Sequence, residues 1–366
     1  MSMTVEALAD WLGGEVIGDA TRVVEKVQSL SKAGPQSITF FVGDRNPIQL
    51  KGSTAAAILV DRKLQAALKT AGYLSTFILV DDPKDAFLAV AEHFAPRCVR
   101  PPVGISPDAF VSATAQIGRN TNIFPGAHVA ASVIIGDNCD LHPGVVIARG
   151  CQLGDEVVLH PNVVLYENTI IGNRVTIHGG AVIGADGFSY RLIDGRHERI
   201  PHYGSVRIED DVEIGACTTI DRAMVDETVI GQGTKLDNLV MIGHNCEIGR
   251  HNLLVSQAGL AGSVTTGDYV ICAGQVGIAD HVHLGTRSVV GAKAGVHKDI
   301  PAGERQIGVP AIPEAECRRV VMAQHKLPEM RQQLKALERQ VEELTSKLAQ
   351  LMSQGPIAKD SLREAA

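Results

Sequence analysis

The stretch Ile135–Leu153 reads IGDNCD LHPGVV IARGCQ L, with an aliphatic residue at every sixth position. The beat extends both ways: back through Val129, Ile123, Ile117 and Val111 to Ile105, and on through Leu159, Leu165, Ile171 and Ile177 to Ile183. It lapses, returns at Ile208, Ile214 and Ile220, slips by four residues, and resumes from Ile230 to Val296. Of 29 register positions only Thr266 and Cys272 are not Leu, Ile or Val, in a chain that is 45% hydrophobic overall, so chance does not explain the pattern.

A six-residue period is the mark of a parallel β-helix. Each hexad supplies a short strand and a turn, and three hexads close a triangular coil of 18 residues. Coils stack roughly 4.8 Å apart, and one coil cannot bury its own aliphatic residues, so many are needed. Twelve of the 29 register residues precede a Gly. The expectation is that this Gly allows a turn conformation that a side chain resists.

The net charge of −7 argues against nucleic acid as a partner. No run approaches the ~18 apolar residues of a membrane span, and the N-terminus lacks a basic start followed by an apolar run. The seven cysteines include no Cys-x-x-Cys pair. Cys139, Cys151, Cys246 and Cys272 fall inside hexads and read as buried, reduced thiols of a cytosolic protein.

Residues 1–103 do not follow the beat. They read as a small α/β domain: a helix through Leu8, Trp11 and Leu12 ended by Gly13-Gly14, strands at Ile38–Val42, Ala55–Val60 and Thr76–Val80, a helix at Ala66–Ala71, and another starting at Asp82-Pro83. A linker from Arg97 to Val103 leads to the β-helix, 104–312. A polar insertion at 185–206 interrupts it, and such insertions usually project from one face of a solenoid. In the extension 313–366, Leu327, Met330, Leu334, Leu337, Val341, Leu344, Leu348 and Leu351 alternate spacings of three and four, the pattern of a coiled coil.

Two histidine patterns invite a chemical reading. His142, His160 and His178 lie 18 apart and should stack on one corner, as a metal ladder or as plain surface side chains. His244 follows an inward Ile242 and Gly243. Eighteen residues on is Gly262, one coil above, and eighteen further is Asp280 beside His281. A neutral imidazole under an open backbone N–H suits acyl transfer, the His taking a proton and the N–H holding the oxyanion. A plain corner histidine is the other reading of the spacing. No Ser-His or Cys-His pair appears in matching register, which favours direct transfer over a covalent intermediate.

Three motifs carry a resemblance: Val182-Ile183-Gly184-Ala185-Asp186-Gly187-Phe188-Ser189-Tyr190, Ile214-Gly215-Ala216-Cys217-Thr218-Thr219-Ile220-Asp221-Arg222, and Leu236-Asp237-Asn238 through His244-Asn245. Over nearly its whole length the chain resembles the UDP-3-O-(3-hydroxyacyl)glucosamine N-acyltransferases of bacterial lipid A synthesis, within the hexapeptide-repeat acyltransferases. The resemblance implies a left-handed β-helix and a homotrimer with sites between subunits. It implies transfer of a 3-hydroxyacyl chain from acyl carrier protein to the 2-amino group of a UDP-3-O-acylglucosamine. The thioester is a donor substrate, and neither a cofactor nor a metal is implied. It implies a cytoplasmic enzyme of a Gram-negative-type bacterium, working near the inner-membrane surface.

By the same resemblance His244 is the base and the Gly262 backbone the oxyanion donor. His281, Asn245 and Asp237 contact substrate. The N-terminal domain holds the uridine, with Phe40 or Phe41 of Thr39-Phe40-Phe41 stacking on uracil; the family's second ring is missing, because Gln49 follows Asn46-Pro47 where a Tyr is usual. Asp221 or Asp280 would orient the imidazole. Arg318, Arg319, Lys326 and Arg331 would meet the acidic carrier protein. The rivals are a related O-acyltransferase, an acetyl-CoA-dependent sugar N-acetyltransferase, a metal-binding β-helix like the γ-class carbonic anhydrases, and a scaffold without activity.

Overall fold

The computed structural model describes residues 2–43, 50–69, 73, 75–95, 100–308 and 311–353. Two compact units divide the chain, Met1–Pro101 and Pro102–Ala366.

In the first unit a five-stranded sheet runs in the order Glu15–Ile17, Thr76–Val80, Ala57–Asp61, Ser37–Phe41, Lys26–Val27, parallel except for its first pair. Helix α1 (Val5–Leu12) starts where the Thr4 side chain accepts from the Ala7 N–H, and ends on Gly13 at φ 64°. A short α2 covers Gln65–Lys69, and α3 (Pro83–Phe94) begins at Pro83, with Asp82 capping Lys84 and Asp85. The sheet carries a core on each face, so successive strand residues serve different cores.

The second unit is a left-handed parallel β-helix. Its described strands form three parallel sheets of ten, ten and nine strands. Partners lie one coil apart, as in Leu141↔Leu159↔Ile177 and Ile135↔Leu153↔Ile171. The inward aliphatics form one continuous core with exposures near zero. Four cysteines sit in that core, where burial pushes the Cys246 and Cys272 thiols up to about 12.

The glycines after the aliphatic beat play a different part from the one expected. Left-handed φ falls three residues after the aliphatic, at non-glycine residues such as Asn138 (59°), Asn245 (58°) and His281 (58°). The Gly itself is needed because coils stack closely: a Cβ on Gly154 would lie 2.8 Å from the Gly172 carbonyl and 2.5 Å from Asn173 Oδ1. The constraint is contact between coils rather than the dihedral angle, except at Gly184, where φ is 89°.

Two irregularities break the 18-residue ruler. Strand Val182–Asp186 pairs with Thr219–Arg222 with a register shift between Ile183 and Ala185. Between them the chain leaves the helix as an antiparallel hairpin, Tyr190–Ile193 against Arg196–Arg199. A smaller insertion makes Ile208 pair with Ile230. Beyond the last coil, α4 (Glu314–Ser353) is a 40-residue helix with no buried residue among those described.

Candidate active site

His244 follows strand Met241–Ile242 in a turn whose next residue, Asn245, has left-handed φ. A Cβ on Gly243 would lie 2.8 Å from the Gly262 nitrogen, so the two coils touch backbone to backbone here. The half-buried imidazole lies against Gly262 itself: a Cβ there would sit 2.6 Å from both Nε2 and Cε1 of His244. Any side chain at 262 would displace the ring. Among the described hydrogen bonds, the Gly262 N–H has no acceptor, while its carbonyl accepts from the His281 N–H at 3.1 Å.

The tautomer of His244 follows from its neighbour. Asn245 Oδ1 accepts from the Met224 N–H at 2.9 Å, and its Nδ2 donates to the Val225 carbonyl at 2.9 Å, which fixes the amide's orientation. The same Oδ1 faces His244 Nδ1 at 3.2 Å. A carbonyl oxygen only accepts, so in the neutral ring Nδ1 carries the hydrogen and Nε2 the lone pair. The Ser189 hydroxyl lies 3.3 Å from Nε2 and donates to it. This is the tautomer of a general base.

Asn245, expected as a substrate contact, also aims the base: its Oδ1 and one Nδ2 hydrogen are taken within the protein, and among the described hydrogen bonds the second Nδ2 hydrogen has no acceptor. His281 shares the left-handed turn position with Asn245 and lies on the same corner, exposed. Asp237 lies at the preceding corner of the coil; its carboxylate accepts from the Asn238 and Ser256 N–H groups at 2.7 and 3.0 Å. It lines a separate cavity of about 510 Å³ beside His178 and Lys235. The structure therefore brings Gly262 and His281 to the His244 corner and leaves Asp237 away from it.

The insertion supplies what the period did not reveal. Gly187 is buried against the imidazole, where a Cβ would lie 2.8 Å from Cβ and Cδ2 of His244 and 2.9 Å from His202 Nε2. His202, 5% exposed, packs edge to face on His244 with ring centroids 5.3 Å apart. Its Nδ1 donates to the Ile200 carbonyl at 3.1 Å, and burial, reinforced by His244 and Arg199, holds its pKa below the usual histidine range. The sequence signal was present in the Ala-Asp-Gly-Phe motif, but the direction in which the hairpin folds is not periodic.

Of the two carboxylates considered for the imidazole, Asp221 follows Ile220, whose strand pairs with the strand that leads into His244. Asp221 is 9% exposed, and burial pushes its pKa up to about 6 against the pull of His244. Next to it, Arg222 anchors the hairpin's base. It donates to the Gly184 carbonyl at 2.6 Å, approaches Asp186 at 3.8 Å and Glu167 at 3.3 Å, and lies over the Tyr166 ring. Asp186 also pairs with Arg199 across the hairpin.

The histidine ladder forms as a stack. Phe124, His142, His160 and His178 lie face to face, with successive centroids 4.8, 5.2 and 4.7 Å apart and planes within 14°. Stacked rings direct their nitrogens edgewise in parallel rather than toward one point. Among the described residues no three His, Cys, Asp or Glu side chains are grouped to hold a metal.

In the N-terminal unit the expected uracil stack needs correction. Phe41 is 8% exposed in one core, and Phe40 packs on Phe87 at 4.7 Å on the opposite face. Strand alternation commits Phe41 to the core and leaves Phe40, packed on Phe87, half exposed and the one ring of the two open to a base. Asn46, Pro47 and Gln49 lie outside the described residues.

Residues 21–93 match the family described as UDP-3-O-(3-hydroxymyristoyl) glucosamine N-acyltransferase, LpxD, and residues 114–149 and 150–185 match the bacterial transferase hexapeptide repeat. The chain is 48% identical over 344 residues to the UDP-3-O-acylglucosamine N-acyltransferase of Syntrophus aciditrophicus (strain SB), covering 94% of this chain and 93% of the relative. It is 49% identical over 349 residues to that of Geobacter sp. (strain M21), covering 95% and 99%. Among solved structures, Arabidopsis UDP-N-acetylglucosamine acyltransferase aligns with a TM-score of 0.52 at 27% identity, over 56% of this chain and 71% of that one.

Proposed function

Because the chain belongs to the family of UDP-3-O-acylglucosamine N-acyltransferases, and is therefore an acyltransferase, we propose that it moves a 3-hydroxyacyl chain from acyl carrier protein to the 2-amino group of UDP-3-O-(3-hydroxyacyl)glucosamine, a step of lipid A biosynthesis. The observation that carries this reading is the pairing of His244 Nε2, oriented by Asn245, with the Gly262 N–H, which has no acceptor among the described hydrogen bonds.

The amine attacks the thioester carbonyl, forming the C–N bond, while Nε2 of His244 takes the amine's proton. The Gly262 N–H holds the oxyanion of the tetrahedral intermediate. Collapse breaks the C–S bond, and the imidazolium returns its proton to the departing thiolate. Asp221 faces the transient imidazolium and stabilises it. Asn245 positions the base, and His281 binds substrate at the same corner. The enzyme works as a homotrimer in the cytoplasm, with the half-exposed Phe40 meeting the uridine and basic residues of α4 meeting the carrier protein.

The test is mass spectrometry of products from acyl carrier protein thioesters with UDP-3-O-acylglucosamine, and with UDP-N-acetylglucosamine as the competing acceptor. Amide formation on the first acceptor alone is expected. His244→Ala should lower kcat by a factor of roughly 10² to 10⁴. N-acylation at near wild-type rate by that variant would overturn the assignment.

A further inference from the structure

The chain that returns from the hairpin leaves a buried nitrogen without a hydrogen-bond partner beside the base. His202 Nδ1 donates to the Ile200 carbonyl at 3.1 Å, so in the neutral ring Nε2 carries the lone pair. That Nε2 is buried, and among the described residues it has no hydrogen-bond partner. A buried acceptor left unpaired is costly, so its place needs a physical reason.

The lone pair is turned towards His244. Of the His202 ring, Nε2 lies nearest to Gly187: a Cβ on that glycine would sit 2.9 Å from it and 2.8 Å from Cβ and Cδ2 of His244. The two rings meet at 68°, with centroids 5.3 Å apart. The unprotonated nitrogen is the negative end of a neutral imidazole's dipole. Burial holds the His202 pKa below the usual histidine range, so the ring is uncharged near neutral pH and the dipole keeps its sign.

The dipole is also held in place. After His202, the Tyr203 N–H donates to the Met224 carbonyl at 2.9 Å, and the Gly204 N–H to the Ala223 carbonyl at 3.1 Å. A Cβ on Gly204 would lie 2.5 Å from the Asp226 carbonyl oxygen, so the chain lies directly on this loop. Asn245, which aims His244, is bound to the same loop through Met224 and Val225. The loop lies where the six-residue beat slips, between Ile220 and Ile230. The slip thus makes one bracket for the base's two neighbours.

We propose that His202 is a positioning residue for the acyl transfer, its anchored ring presenting a fixed lone pair to the positive charge that His244 gains on taking the amine's proton. This rests on the function proposed above. A dipole fixed before the reaction stabilises a developing charge without the cost of turning to meet it. Being buried, His202 acts through His244 and not on the substrates.

The test separates the lone pair from the ring. His202→Phe keeps a ring and removes both nitrogens. His202→Gln removes the ring but keeps a donor for the Ile200 carbonyl and an acceptor oxygen. In steady-state N-acylation of UDP-3-O-acylglucosamine, His202→Phe should lower kcat about tenfold, the scale of one net hydrogen bond, with both KM values unchanged. His202→Gln should recover most of that loss. A wild-type kcat for His202→Phe overturns the proposal. So does a Gln variant no faster than the Phe variant, or a loss that falls on KM alone. Carbethoxylation of His244 by diethyl pyrocarbonate, followed by peptide mass spectrometry, reads the same ring without either substrate. Attack of Nε2 on that reagent's carbonyl also places positive charge on the imidazole, so His202→Gln should again react faster than His202→Phe. That order in a protein that does not acylate the amine overturns the proposed function and leaves the role of His202 standing; the reverse order overturns that role. Thermal unfolding of each variant controls for folding, and His202→Leu, smaller and equally without a lone pair, replaces His202→Phe if the larger ring overfills the site.

Discussion

At the scale of single residues, the site is a set of neighbours that decide each other's states. Asn245 spends both ends of its amide on the backbone and thereby selects the His244 tautomer. Asp221 shows the opposite economy, a carboxyl whose burial raises its pKa from the ordinary carboxylate range to about 6. A carboxyl with a raised folded pKa binds more protons in the folded than in the unfolded state. Stability therefore falls as pH rises from about 4 to about 6 and stays reduced above that window. Asp221→Asn should stabilise the protein at pH 8 by an amount on the order of 2 kcal/mol, given about 1.4 kcal/mol per unit. The gain should vanish below pH 4 in denaturant unfolding. The same variant should lose about tenfold in kcat, because the imidazolium loses its facing charge. A variant that is no more stable at pH 8 than wild type would show that the carboxyl is not desolvated as described.

At the scale of elements, the β-helix rests on close contact between coils. The hexad's Gly is fixed by the coil above it, and the turn's bend is made by residues such as Asn138 that tolerate left-handed φ. Gly154→Ala should accordingly destabilise by about 1–3 kcal/mol through overpacking against Gly172 and Asn173. Urea unfolding measures this, and a neutral result would refute the contact argument. The hairpin is the larger of the two departures from the ruler, and its segment delivers Gly187, Ser189 and His202 to the base. Its sequence was legible as an insertion. Its partners were not, because a hairpin's direction is set by the strand bulge and the Arg222–Asp186–Arg199 contacts rather than by periodicity.

At the scale of the whole molecule, α4 presents Leu334, Leu337, Val341, Leu344 and Leu348 to solvent at 56–65% exposure. A lone helix with an open apolar stripe gains little from its own propensities, and the spacing of three and four fits the seam of a coiled coil between copies. With the trimer proposed above, light scattering should give about three times the 38.9 kDa chain mass. The double variant Leu337→Asp/Leu344→Asp should lose most of its helical circular-dichroism signal while the β-helix transition persists. Full retention of helicity at low protein concentration would mean that the stripe does not self-associate.

The sequence by itself determined the β-helix, its coil length, the separate α/β unit and the alignment of His244 under Gly262, because a strict six-residue period converts residue number into position. It also carried the motifs of the family. Only the tertiary structure decided that Asn245 orients the base, that Phe41 is core, and that the hairpin closes on His244. Those outcomes depend on side-chain direction and on how irregular segments fold back, and neither follows from a repeat.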